Sequence, residues 1–163
     1  MDVRHRPTPL EARAPGRWPS TLSPRTTATA TALLFIDLDD FRAVNDQHGH
    51  SAGDALLHQV AARLRAAVRA DDLLACQGGD EFLLLLTDLP GSEAHRIATR
   101  TADQLLHALG DPFDVHHAKL TVRASIGISI APPAGVHADD LLRQADTAMY
   151  TAKSHGGAQH HSG

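Results

Sequence analysis

Five carboxylates fall in two short segments of the chain: Asp37, Asp39 and Asp40 close one apolar run, and Asp80 and Glu81 follow the pair Gly78-Gly79. If the second segment is a hairpin paired beside the first run, the two clusters meet at one edge of a sheet. Their mutual repulsion then favours a cation between them. An all-oxygen donor set points to magnesium or manganese, and magnesium points to phosphate chemistry, because it keeps waters and shares its remaining positions with substrate phosphates. Residue types alone leave a second reading open, that these are solvated acids of ordinary turns. Downstream, the amide of Asn45 offers both donor and acceptor. The carboxylate of Asp54 can accept from a ring N–H and an exocyclic amine together, a pair that guanine presents and adenine does not. The competing reading makes Asn45 a turn former and Asp54 an acid at a helix N-terminus.

The elements that must position these groups follow from apolar periodicity. Ala32 to Asp37 reads as a buried central strand. Ser51, with Asp54 three residues on, suggests a capping box opening a helix whose inner face carries Leu56, Leu57, Val60, Ala61, Leu64 and Val68 and which ends near Arg69. Leu73 to Gln77 and Glu81 to Leu86 read as two strands joined by a tight turn at Gly78-Gly79. A second helical pattern runs from Ala94 to Leu109 and stops at Gly110-Asp111-Pro112. Strict alternation from Leu120 to Ile130 marks a strand with Arg123, Ser125 and Ser129 on the opposite face, and a last helix spans Asp139 to Lys153. This order predicts an α/β (α+β) sandwich, with a central, largely antiparallel sheet flanked by helices.

Composition bounds the rest. The chain has 163 residues, 42% of them hydrophobic, enough for one domain with its own core. A formal charge of -4 argues against a nucleic-acid partner. A single cysteine, Cys76, excludes an intramolecular disulfide or a multi-cysteine metal site. No apolar run is long enough to cross a bilayer, so the sequence predicts a soluble, cytoplasmic protein. Residues 1–31 hold five of the nine prolines and five arginines against two acids, which predicts a disordered or degenerate leader; residues 157–163 read as a flexible tail. The twelve histidines, including His116-His117 in a turn and His155, His160 and His161 near the end, read as scattered surface groups.

Six blocks carry a more specific signal. Leu33-Leu34-Phe35-Ile36-Asp37-Leu38-Asp39, Phe41 with Asn45-Asp46, Gly49-His50-Ser51-Ala52-Gly53-Asp54, Gly78-Gly79-Asp80-Glu81-Phe82, Ser125-Ile126-Gly127, and Ala145-Asp146 with Met149-Tyr150 and Ala152-Lys153 resemble, in order and spacing, the signatures of the GGDEF family. The resemblance covers residues 32–156. It implies a nucleotidyl-cyclase-like fold and a diguanylate cyclase activity, in which two GTP are condensed into the bacterial second messenger cyclic di-GMP with release of pyrophosphate. Position by position it implies Asp37, Asp80 and the backbone of Leu38 as ligands of Mg2+ or Mn2+. Asp80 and Glu81 take the catalytic roles, Glu81 assisting the metal site or activation of the ribose 3′-hydroxyl. Asn45 and Asp54 would hold guanine. Backbone near Asp40 and Phe41, with Arg42 and Lys153, would take the phosphates, and Gly78 and Gly79 would let the hairpin approach the nucleotide. Arg69-Ala70-Asp71-Asp72 stands where the family places an RxxD product-inhibition site, with Arg69 and Asp72 as its ligands; read without that register, it is a helix-end arginine followed by solvated acids.

The chain also departs from the pattern. Cys76 and Gly157 stand where the family has arginine, Arg42 replaces a lysine, and the DxLTGLxNR element upstream is reduced at best to Thr21-Leu22-Ser23-Pro24-Arg25. These losses leave a rival reading, a non-catalytic module that binds GTP or cyclic di-GMP. A third, an interaction domain without nucleotide, gives Asp37, Asp80 and Glu81 no reason to occur together. Because one site holds one GTP and each 3′-hydroxyl must attack the other nucleotide, the cyclase reading also requires a second copy of the chain as a two-fold homodimer.

Overall fold

The computed structural model describes residues 21–22 and 29–163. Their elements are β1 (Thr21–Leu22), β2 (Thr29–Asp39), α1 (Phe41–His48), α2 (His50–Ala66), β3 (Leu73–Gly78), β4 (Glu81–Pro90), a 3₁₀ turn at Gly91–Glu93, α3 (Ala94–Gly110), β5 (Phe113–Val115), β6 (Ala118–Leu120), β7 (Arg123–Ala131), β8 (Val136–His137), α4 (Ala138–Ser154) and β9 (His160–Ser162). Five strands form the central sheet in the order β3-β4-β2-β7-β9. All its pairings are antiparallel except β7 with β9. Two small sheets, β1 with β8 and β5 with β6, lie outside it. The architecture is the mixed α/β one expected, a mostly antiparallel sheet flanked by helices.

β2 is central and its two faces are both buried, which explains an apolar run without clean alternation. Leu34, Ile36 and Leu38 share a core with Leu56, Val60 and Leu64 of α2 and Ala98, Ala102, Leu105 and Leu109 of α3. Leu33 and Phe35 point the other way, into a cluster with Leu83, Leu85 and the α4 residues Leu141, Ala145 and Met149. At Gly127 of β7 a Cβ would run into the backbone of Ala145 and Met149, so α4 crosses the sheet at a distance only glycine permits. Ser129 then donates its hydroxyl to the Leu141 carbonyl at 2.7 Å, fixing the start of the helix on the same strand.

The structure corrects several expectations. The first strand starts at Thr29 and ends at Asp39, so Thr29–Thr31, read as part of a leader, belong to the sheet; residues 1–20 and 23–28, where the rest of that leader falls, lie outside the described residues. Phe41–His48 is a helix of its own, with a single buried residue, Phe41, and so too little apolar patterning to be seen. The capping box at Ser51 does not form. Gly49 is the N-cap of α2 without a side-chain bond, and the Ser51 hydroxyl lies 3.4 Å from His116 Nε2 instead. That helix ends at Ala66, three residues short of Arg69. Leu120 belongs to the β5–β6 hairpin, and its alternation with Val122 and Ala124 reflects a shared buried core rather than one continuous strand. Nor does the tail fray: His160 to Ser162 pair in parallel with Ile126 to Ile128.

Candidate functional site

The β3–β4 hairpin delivers its tip to the end of β2. Asp37 is in register with Glu81 on one side and with Ser125 on the other. The N–H of Leu38 donates to the Asp80 carbonyl at 3.1 Å, so the peptide at the hairpin tip is tied to the strand end. Gly79, at φ 53°, supplies the left-handed turn. Gly78 is different: its φ is not in the left-handed region, and a Cβ built on it meets nothing within 4 Å. Nothing in the fold requires glycine at Gly78.

Asp37 is 7% exposed, and Lys153, in the last turn of α4, donates to its Oδ1 at 2.5 Å. Burial holds the Asp37 carboxyl above the usual carboxylate range. The hydrogen bond and charge of Lys153 pull it back, while the charges of Asp80 and Asp39 push it further up. Glu81 is raised as well, first by burial and then by the charges of Asp37, Asp80 and Asp146. Burial pulls the Lys153 ammonium down, but its bond to Asp37 and the charges of Asp37, Asp39 and Asp80 outweigh this and raise it. The sheet end thus holds an excess of negative charge that a single ammonium does not balance.

Such a donor set suits a hard divalent cation. Asp37 and Asp80 offer carboxylate oxygens, and Leu38, a fully buried residue with an apolar side chain, has only its peptide carbonyl to offer. Among the described residues no three His, Cys, Asp or Glu side chains already converge as a ligand set. One Asp37 oxygen is held by Lys153, and the candidate oxygens share an end of the sheet rather than a finished cage.

Asp39 and Asp40 go elsewhere. The Asp39 carboxylate accepts from the Ser125 hydroxyl at 2.8 Å and the Ala158 N–H at 2.9 Å, anchoring the loop after α4. Asp40 is left-handed at φ 57° and N-caps α1 without a side-chain bond. Successive peptide N–H groups at such a turn form a concavity suited to an anion. Arg42, in the first turn of α1, is exposed.

Asn45 and Asp54, the pair expected to hold guanine, meet at Gly53. A Cβ there would collide with the Asn45 side-chain oxygen and lie 2.9 Å from its Cγ, so glycine is what lets the Asn45 amide rest on α2 beside Asp54. Asp54 lines a cavity of about 240 Å³ with Leu57, His58, Ala61, Cys76 and Phe82. Its apolar floor and single carboxylate match what a planar base with N–H donors requires. Asn45 is not among the residues that line it. Burial holds the Cys76 thiol above its usual value, as do the charges of Asp80 and Glu81, with a backbone bond at Gly78 opposing them.

Arg69 and Asp72 are brought together in a turn. The Arg69 N–H donates to Asp72 Oδ2 at 3.0 Å, and Arg65 donates to the carbonyls of Asp72, at 2.6 Å, and of Arg69. The Arg69 side chain is exposed, whereas Asp72 is 7% exposed and closes its own turn. Neither Arg65, which holds the Arg69–Asp72 turn, nor the anchoring role of Asp39 is visible in the sequence, because both depend on contacts with backbone outside their own element.

Comparison with known proteins gives the family and the fold. The family described as diguanylate cyclase, GGDEF domain, matches residues 20–159. The chain is 43% identical over 125 residues to the bifunctional diguanylate cyclase/cyclic di-GMP phosphodiesterase MucR of Pseudomonas aeruginosa, covering 77% of this chain and 18% of that protein. It is 43% identical over 126 residues to the probable diguanylate cyclase DgcE of Escherichia coli, covering 77% and 11%. The solved GGDEF domain of YfiN (TpbB) from Pseudomonas aeruginosa superimposes with a TM-score of 0.74 at 35% identity over 82% of each chain. The chain spans less than a fifth of the length of these curated relatives. No helix among the described residues is long and apolar enough to cross a membrane.

Proposed function

The chain belongs to the GGDEF domain family of diguanylate cyclases, and from that premise we propose that it condenses two GTP into cyclic di-GMP, dependent on Mg2+ or Mn2+ and working as a two-fold dimer. The observation that carries this reading is the register of Asp37 against Glu81 at the mouth of the hairpin, with Lys153 bound to Asp37. An acidic end of this kind, beside the cavity that Asp54 lines, suits a guanine nucleotide whose triphosphate is held with a divalent cation.

Asn45 and Asp54 hold the base, the carboxylate accepting from its ring N–H and amine. The peptide N–H groups at Asp40 and Phe41, with Arg42 and Lys153, take the phosphates, and Gly78 and Gly79 leave the hairpin backbone open to the nucleotide. Glu81, its carboxyl raised, assists the metal site or receives the proton of the ribose 3′-hydroxyl. The freed oxygen bonds to the α-phosphorus of the GTP on the facing copy, the α–β bridge breaks and pyrophosphate leaves; the reciprocal attack closes the ring with a second pyrophosphate. Asp37, Asp80 and the Leu38 carbonyl would hold the cation, which would supply neutralisation of the triphosphate charge. The turn of Arg69 and Asp72 is the product-inhibition site in this reading, with the exposed guanidinium as the group that reaches cyclic di-GMP.

The test is incubation of the purified protein with GTP and Mg2+ or Mn2+ and chromatography for cyclic di-GMP. Product is expected from the unaltered chain and none from Asp80→Ala, while Arg69→Ala should continue past the product concentration at which the unaltered chain stops. No product at high protein concentration overturns the cyclase reading.

A further inference from the structure

The phosphate side of this site is short of fixed positive charge, because Cys76 and Gly157 stand where two arginines would be expected. Cys76 offers a thiol, which brings no positive charge. Gly157 cannot be furnished with a side chain cheaply: a Cβ there would lie 2.7 Å from Asp39 Oδ2, at a φ of 67°. The fold nonetheless brings another guanidinium to this corner. Arg123 is the first residue of β7 and sits in register with Asp39, whose carboxylate is the group packed against Gly157. Two residues along the strand, Ser125 binds that same carboxylate, so the root of Arg123 is rigid. Its tip is not. The guanidinium lies 3.8 Å from Asp40 Oδ2, with side chains 63% and 82% exposed, a contact of the kind that costs little to break. Asp40 in turn carries the left-handed turn that opens α1, where no side chain caps the peptide N–H groups.

We propose that Arg123 is a further phosphate-contacting residue of this site, moving off Asp40 onto the triphosphate and supplying the charge that Cys76 and Gly157 do not. The inference rests on the GTP reading above. A guanidinium grips phosphate oxygens in a bidentate fork that an ammonium cannot reproduce. The role therefore separates from simple charge.

The experiment is equilibrium binding of α,β-methylene GTP, which cannot be cleaved at the reacting bridge, and of guanosine, to the full chain with Mg2+. Arg123→Ala should weaken the triphosphate about tenfold, the effect of losing a charge-assisted hydrogen bond, and leave guanosine unchanged. Arg123→Lys should fall between. Equal affinity of the Ala variant for the triphosphate overturns the assignment, and so does equal weakening for guanosine, which would mean damage to the base pocket. If the unaltered chain binds neither ligand, the nucleotide reading fails and this inference fails with it; if it binds both, only the response of Arg123 is in question.

Discussion

Removing the ammonium of Lys153 should destabilise the fold in a way that depends on pH. Asp37 and Lys153 meet at 2.5 Å, with side chains 10% and 38% exposed. Breaking a fully buried pair costs about 3–5 kcal/mol; Lys153 is more than a third exposed, and solvent screening brings the expectation for Lys153→Ala down to about 1–2 kcal/mol. The Asp37 carboxyl is already raised by burial, and Lys153 is the group that lowers it. Without Lys153 the folded-state value rises further. A carboxyl whose folded value lies above its unfolded value binds more protons in the folded state, so its contribution to stability falls as pH rises between the two. The loss should therefore be full at about pH 8 and much smaller at about pH 4. Urea unfolding reads it as a midpoint shift of about 0.7 M for a slope near 2 kcal/mol/M. In an Asp37→Asn background the same substitution should cost little, giving a coupling of about 1–2 kcal/mol in the double-mutant cycle. An equal loss at both pH values, or an undiminished loss beside Asn, would show that Lys153 acts by packing rather than by charge.

Two other substitutions test separate parts of the site. Gly53→Ala should push the Asn45 amide aside, weakening guanosine binding about tenfold for an overpacking cost of about 1–3 kcal/mol, read by calorimetry and urea unfolding. Asp39→Ala leaves the Ser125 hydroxyl and the Ala158 N–H without their acceptor; a stability loss of about 2 kcal/mol is expected, with faster amide hydrogen exchange through residues 158–162.

Where a signal was local, the sequence carried it. The central strand, the β3–β4 hairpin, α3, β7 and α4 all follow from apolar period and glycine placement, and the convergence of Asp37 with Asp80 and Glu81 follows once the hairpin pairs beside the strand. What escaped is non-local or polar. α1 buries only Phe41 and so has no stripe to read. β9 consists of His160, His161 and Ser162, residues whose side chains say nothing of a strand; it is held by β7 and by the anchor of the preceding Ala158 on Asp39, 119 residues away in the chain. Ser51 carries the letters of a capping box, yet Gly49 ends the preceding turn and takes the cap position. In Asp72 the sequence offers a ligand, and the structure turns its carboxylate onto the Arg69 N–H.

The same distinction governs how the site is put together. Its negative half is local: a strand end and a hairpin tip that pair directly. The cation on Asp37 is not, since Lys153 lies 116 residues further on and reaches Asp37 only when α4 lies flat across β7 at Gly127. Because Asp37 and Asp39 are two residues apart on one strand, both face that helix, and one meets its last turn while the other meets the loop beyond it. Docking of α4 thus delivers a counter-charge and an anchor in one step. Before it docks, the repulsion among Asp37, Asp80 and Glu81 opposes closing the hairpin against the strand. The acidic end is therefore tolerated by the folded chain only as a consequence of its longest-range packing.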